Sequence, residues 1–85
     1  MNDLEKWILE WMADFKKKHD RIPKRLPGAY QNYKLVDADR TANFLDLIYR
    51  QGRKCFDVQI WYKVDVPQMV VDWYVDKVRY WEIED

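Results

Sequence analysis

The residue types that usually carry catalysis are sparse in this chain of 85 residues. Nucleophilic catalysis would need the single cysteine, Cys55, beside the single histidine, His19, with a third group to orient the base. His19 follows three lysines at the end of a predicted helix, and Cys55 begins a predicted strand. A free thiol and a solvated histidine account for both, so we predict a non-enzymatic protein without catalytic residues.

Acidic and glycine residues predict no metal or cofactor site either. Asp37 and Asp39 begin like a calcium-binding loop, but positions six and twelve hold Ala42 and Ile48 instead of glycine and glutamate. A glycine-rich phosphate loop is absent, because the only two glycines lie far apart in the chain. Helix capping explains the two aspartates, and we predict neither a bound metal nor a cofactor.

The charge pattern instead favours recognition of an anionic partner. The formal net charge is zero, yet residues 1–54 hold 12 Lys and Arg against 8 Asp and Glu, a net +4. Residues 55–85 hold 3 against 7, a net −4. Such asymmetry concerns association rather than fold. It predicts a basic face and an acidic end that is either repelled by this face or folded against it.

Two clusters of cations make up the predicted basic face. The first comprises Lys16, Lys17, Lys18, Arg21, Lys24 and Arg25, and the second comprises Arg50, Arg53 and Lys54. Clustered Lys and Arg hold phosphates and set the register of a nucleic acid. On the solvent side of a predicted second helix, Arg40, Asn43 and Arg50 are residue types that recognise guanine and adenine edges, although Asp46 on that side would repel phosphate. We predict DNA or RNA as the partner, bound in a regulatory role.

The acidic C-terminal end supports an alternative, a protein partner. Acids and large rings mix there, and Trp and Tyr are favoured interface anchors. The candidate residues are Trp73, Tyr74, Tyr80, Trp81 and Glu82. The partner would be a host protein or a second copy of the chain. In size and style the chain resembles the small accessory proteins of phages and mobile elements.

The patterns of apolar and polar residues predict both helices and strands, and therefore a small α+β fold. Residues 1–85 are predicted to form a single domain. Apolar residues from Leu4 to Phe15 recur at helical spacing and predict an amphipathic helix over 3–19, with a capping box from Asn2 and Glu5. Strict alternation predicts a strand over 55–65. This strand needs a neighbour, which segments 29–36 or 69–84 or a symmetric homodimer could supply.

Two further segments carry weaker signals. A second helix is predicted over about 40–51, capped by Asp37 or Asp39 and ended by Gly52. Over 66–80, a polar stripe favours a helix, whereas the β-branched and aromatic composition favours strands. We favour the helix for this segment.

A resemblance links part of this pattern to winged-helix DNA-binding domains. The first helix, followed by His19-Asp20-Arg21-Ile22-Pro23, resembles their opening turn. Leu45, Ile48 and Gly52 before a strand resemble a recognition helix leading into the wing. The region around Pro27 and Gly28 departs from this family where its second helix should lie. The resemblance implies DNA binding.

Location is constrained by what the chain lacks. No apolar run approaches 18 residues, so no membrane span is predicted. The N-terminus leads directly into a charged helix, and a single cysteine excludes an internal disulfide. A cytoplasmic protein is the expectation.

Overall fold

The N-terminal helix forms as the sequence predicts. A computed structural model of the chain describes residues 2–41, 43–65 and 69–84. For residues 64, 65 and 69–71 it describes the backbone alone. Helix α1 spans Asp3–His19. Its capping box is complete, because Asn2 Oδ1 accepts from the Glu5 N–H at 2.8 Å and Glu5 Oε2 accepts from the Asn2 N–H at 3.3 Å. The left-handed conformation of Asp20 ends the helix.

Four antiparallel strands follow and form one sheet in chain order. Their bounds are β1, Lys34–Arg40; β2, Phe44–Gln51; β3, Lys54–Asp65; and β4, Met69–Glu82. A short 3₁₀ helix, Gly28–Tyr30, precedes β1. The strand predicted over 55–65 is confirmed as β3, and the chain is a small α+β domain.

The predicted second helix over 40–51 is wrong, because this segment ends β1 and forms β2. Leu45, Leu47 and Tyr49 point to one side of β2 and pair with Ile60, Val58 and Phe56 of β3. The segment fits a period of 2 as well as a helical period, and the long neighbouring strand decides between them. Gly52 does not end a helix. It opens a two-residue hairpin turn with φ +59°, a conformation that glycine adopts at low cost. Ala42, which the predicted helix includes, lies outside the described residues.

The predicted C-terminal helix is also wrong where it can be compared. Residues 66–68 lie outside the described part, and from Met69 onward the segment is β4, paired with β3 from Lys54 to Asp65. Its β-branched and aromatic composition therefore outweighs the polar stripe. One α-helix lies within the described ranges, so the resemblance to winged-helix domains is not supported by the fold.

Strand β3 finds both of its neighbours within the chain. It lies between β2 and β4, so pairing with a second copy is not needed to satisfy its backbone. The homodimer stays a prediction without this support. Within the described residues, no helix is long and apolar enough to cross a membrane.

The core lies between α1 and one face of the sheet, which we call the covered face. Ile8 and Met12 of the helix pack against it. The buried sheet residues on this face are Leu47, Tyr49, Phe56, Val58, Ile60 and Val78. Because successive side chains of a strand point to opposite faces, the residues between these buried ones lie on the other face of the sheet, which α1 does not cover.

Candidate functional site

The face opposite α1, here called the open face, carries charged and aromatic side chains of the strands. Cross-strand partners share a face, so the register places residues from all four strands there. On β2 and β3 these are Phe44, Asp46, Ile48, Arg50, Cys55, Asp57, Gln59 and Trp61. The edge strands add Lys34, Asp37, Asp39, Tyr74, Lys77, Arg79 and Trp81.

One corner of the open face is basic, because the sheet register joins three distant cations. Arg25 forms an isolated bridge with Lys34, and Lys34 pairs with Arg50. Arg50 Nε donates to the Gly52 carbonyl at 2.6 Å, which holds this side chain beside the turn. We call Arg25, Lys34 and Arg50 the basic corner. The sequence predicted Arg25 and Arg50, but Lys34 was missed because only pairing of β1 with β2 places it between them.

Strand β4 presents aromatic and cationic side chains in alternation with its covered residues. Trp81, Arg79, Lys77 and Tyr74 follow one another along the open side, and we call them the β4 stripe. Trp81 is 43% exposed and Tyr74 is 54% exposed. Trp61 of β3 pairs with Tyr74, and its ring meets Phe44 edge-on at a centroid distance of 5.3 Å. Along the β4 stripe, the exposed rings of Trp81 and Tyr74 therefore flank the two cations, Arg79 and Lys77.

The centre of the open face is acidic. Asp46 and Asp57 lie on neighbouring strands, and Asp57 Oδ2 accepts from Arg79 Nη2 at 3.4 Å. Burial and the neighbouring Asp57 carboxyl raise the pKa of Asp46 to about 7. Asp39 on β1 adds to this increase. The centre would repel phosphate, so a polyanion would keep to the corner and the β4 stripe.

The first predicted cation cluster is partly neutralised by neighbouring acids. Lys16 Nζ lies 2.9 Å from Asp72 Oδ1 and 3.6 Å from Asp20 Oδ1, and Lys18 Nζ lies 3.1 Å from Asp14 Oδ2. The hydrogen bond between Lys16 and Asp72 raises the pKa of the lysine and lowers that of the aspartate.

Other cations of this cluster remain exposed. The Arg21 guanidinium lies 5.5 Å from the Phe15 ring centroid. Lys17, Lys24 and Arg25 have no ion pair among the described residues. The usable charge therefore lies at Lys17 and in the loop after α1 rather than along the whole helix end.

The residues predicted to approach bases are not brought together. Arg40 ends β1 on the covered side, where its Nε donates to the Tyr62 hydroxyl at 3.2 Å and its guanidinium stacks 5.2 Å from that ring. Asn43 lies in the turn before β2, and Arg50 is close to the other end of that strand. At the usual strand rise, Asn43 and Arg50 are about 23 Å apart. The structure therefore does not support base reading by these three residues as one group.

The second predicted cluster lies at the turn between β2 and β3. Arg50 and Lys54 flank it, and the Arg53 carbonyl accepts from the Ile83 N–H at 2.7 Å. Lys54 pairs with Glu82 across the sheet. Together with the contact between Lys16 and Asp72, this pairing shows that the acidic end folds against the basic half.

The alternative protein-binding set is divided by strand alternation. Tyr74 and Trp81 lie on the open face, whereas Trp73 and Tyr80 are half-buried on the covered face. The Tyr80 hydroxyl donates to Glu82 Oε1 at 3.0 Å. Desolvation and this carboxylate raise the pKa of Tyr80 to about 12. Only the two open-face rings are available to a partner of this face.

A small apolar cleft on the covered side is a weaker candidate. Its volume is about 230 Å³, below the roughly 300–1,000 Å³ of typical small-molecule sites. It is lined by Ile22, Arg40, Leu45, Ile60, Tyr62 and Trp73. Its only charged group, Arg40, is already engaged with Tyr62.

His19 and Cys55, the residue types that nucleophilic catalysis would need, do not form a catalytic centre. His19 packs against Phe15 at a ring-centroid distance of 4.5 Å, while Cys55 is buried on the open side of β3, where burial raises the pKa of its thiol. Among the described residues, no three His, Cys, Asp or Glu side chains could hold a metal ion.

Comparison with known proteins adds no relative from which a function could be transferred. No family model matches the chain, and the searches of curated proteins and of solved structures found no match.

Proposed function

We propose that this protein binds single-stranded nucleic acid along the open face of its sheet. The observation that carries the proposal is the β4 stripe, in which exposed rings flank two cations, beside the basic corner. In this arrangement the corner contacts backbone phosphates, and Tyr74, Trp81 and Trp61 stack on bases. Nucleic acid is therefore the partner in this proposal, as the sequence predicted, and the binding surface is the open face of the sheet rather than a recognition helix.

A sheet face suits single strands better than a duplex. Unstacked bases can lie flat on aromatic side chains, while cations along the path hold the backbone. Duplex reading in the major groove requires a helix or a two-stranded ribbon that enters the groove. The open face is the broad side of a four-stranded sheet, and the helix lies on the other side.

The acidic centre favours one path across this face. Asp37, Asp39 and Asp46 lie on the β1 and β2 side, whereas Lys77 and Arg79 lie on β4. A strand of nucleic acid would therefore cross the corner and follow the β4 stripe, with its phosphates away from the centre.

Fluorescence anisotropy with labelled oligo-dT, oligo-U and a duplex of equal length tests the proposal at two salt concentrations. We expect tighter binding to the single strands and a loss of affinity with salt, with a log–log slope of about −0.7 per phosphate neutralised. Absence of binding to every oligonucleotide at low salt would refute the proposal.

A matched pair of tryptophan variants tests the location. Trp81→Ala removes a ring from the open face, and Trp7→Ala removes an equally exposed ring, also 43% exposed, from α1. Loss of one stacked base should weaken binding by a factor of about 5 to 150 for Trp81→Ala only. An equal loss in both variants would place the binding surface elsewhere.

Charge reversal tests the corner in the same way. Lys34→Glu should weaken binding to all sequences alike, because it contacts phosphate rather than bases. Lys6→Glu changes an exposed lysine on α1 and is the matched control. Similar effects of both changes would indicate only a response to net charge.

A protein partner is the second candidate, and the exposure of Trp61, Tyr74 and Trp81 among mixed charges favours it. A pull-down after nuclease treatment, comparing the natural chain with the Trp81→Ala, Glu82→Lys double variant, separates the two functions. An identified protein that is lost only with the double variant, together with no binding of oligonucleotides, would establish this alternative.

A further inference from the structure

Asp46 of β2 and Asp57 of β3 are diagonal neighbours at the centre of the open face, because Asp46 pairs with Gln59 and Asp57 pairs with Ile48. Asp57 is only 8% exposed, and burial together with the nearby Asp57 carboxyl raises the pKa of Asp46. The Oδ1 atoms of both residues are buried and have no hydrogen-bond partner among the described residues. Two such acceptors are costly to bury when both groups are ionised. A single proton placed between them would satisfy both.

The surrounding groups indicate which carboxyl holds this proton. Arg79 Nη2 lies 3.4 Å from Asp57 Oδ2, so its positive charge lies against Asp57, whereas burial and Asp39 of β1 disfavour a negative charge on Asp46. The other titratable or charged groups on this face are Lys34 and Asp37 on β1, Arg50 on β2, Cys55 on β3, and Tyr74 and Lys77 on β4. Asp46 is therefore the carrier and Asp57 the acceptor.

We propose that Asp46 and Asp57 share one proton, and that its release adjusts the affinity of the open face for nucleic acid to pH. The effect on affinity rests on the proposed function, whereas the shared proton does not. With the proton bound, the pair carries one negative charge. After its release the pair carries two, beside Arg79 and Lys77 of the β4 stripe.

The sign of the effect follows from this charge. Release of the proton adds a negative charge to a surface that must hold phosphates, so affinity falls as the pH rises. One unit charge acting through water on one or two phosphates about 8 Å away changes affinity by about two- to fivefold. The change should fall near neutral pH, since the pKa of Asp46 is about 7.

The shared proton is tested on the free protein by following carboxyl ¹³C chemical shifts during a pH titration. We expect one carboxyl of the pair to titrate with a midpoint between about pH 6 and 8, and Asp57→Asn to move the midpoint of Asp46. Midpoints below about pH 5 for both carboxyls in the unaltered protein would overturn the proposal. This measurement does not depend on any variant remaining folded.

The effect on affinity is tested by oligo-dT binding at pH 6.0 and 8.5 with constant ionic strength. His19→Gln is the background, because it removes the only histidine of the chain. In this background, affinity should fall by about two- to fivefold at the higher pH, and adding Asp46→Asn should remove the change. A pH dependence that survives Asp46→Asn would overturn the regulatory role. Absence of binding at both pH values would refute the proposed function, while the NMR titration would still decide whether the proton is shared.

Discussion

The two faces of the sheet are built from the same strands and meet different physical demands. On the covered face, Leu47, Phe56, Val58 and Val78 are completely buried against α1 and the loop that follows it. On the open face, Trp61 and its neighbours stay partly in water, and a carboxyl pair occupies the centre. Burial of apolar surface explains the residue types on the covered face, but it does not explain those on the open face.

The difference between the two faces indicates that the residues of the covered face stabilise the fold, whereas those of the open face do not. Exposed rings contribute little to folding, and a buried carboxyl oxygen without a donor opposes folding. A surface that keeps such features is a candidate for function, because a sequence departs from local rules of stability mainly where binding requires it. The comparison between the faces can be tested by variants on each of them.

The largest expected effect is on the covered face. Phe56 is completely buried and its ring contacts Tyr30, Tyr33 and Tyr80. Phe56→Ala should lower the free energy of unfolding by about 3–5 kcal/mol, measured by chemical denaturation. The open-face control, Trp61→Ala, should cost about 1 kcal/mol or less. Equal costs would mean that the open face also belongs to the folding core.

The next effect is a dependence of stability on pH that arises at the open face. The folded-state pKa of Asp46, about 7, is raised above its ordinary value of 3.8. Stability from this group is therefore complete below about pH 4 and is lost as the pH rises through 7. We expect a loss of roughly 1–3 kcal/mol between pH 5 and 8, reduced from the full shift because Asp46 is partly solvated.

Asp46→Asn is the control for this pH dependence. The amide cannot ionise, so in a His19→Gln background the stability of this variant should be flat between pH 5 and 8. Denaturation curves at four pH values would measure this. A natural protein whose stability is also flat would show that the two carboxyls are solvated separately.

A smaller effect is expected where α1 meets the edge of the sheet. Glu5 Oε1 accepts from the backbone N–H of Tyr80 at 3.0 Å, which satisfies a donor on the outer edge of β4 and lowers the pKa of the Glu5 carboxyl. Glu5→Ala removes this acceptor and half of the capping box, at a cost of about 1–2 kcal/mol in thermal denaturation. Glu10→Ala, at an exposed position on the same helix, should change stability by less than about 0.5 kcal/mol.

The smallest effect belongs to an exposed ion pair. Lys16 and Asp72 connect α1 to β4 at 2.9 Å, and both side chains are partly in water. A double-mutant cycle with Lys16→Met and Asp72→Asn should give a small favourable coupling energy that falls in 1 M salt. A coupling energy that salt does not reduce would contradict an interaction based on charge.

Much of the covered face could be predicted from the sequence, and little of the open face. The stripe around Ile8 and Met12, with its capping box, predicts α1 because helical hydrogen bonds and caps are local. Alternation over 55–65 likewise predicts β3. The basic corner could not be predicted, because Arg25, Lys34 and Arg50 meet only through the register of β1 with β2.

The amino-acid sequence by itself determined α1, β3 and the separation of charge between the two halves of the chain. Only the tertiary structure decided that residues 44–51 and 69–82 are strands, since both segments carry helical and strand signals together. The physical reason is the backbone of β3, whose N–H and C=O groups must be paired on both sides. The two ambiguous segments pair with these groups. The register of β2 with β3 also makes Asp46 a diagonal neighbour of Asp57.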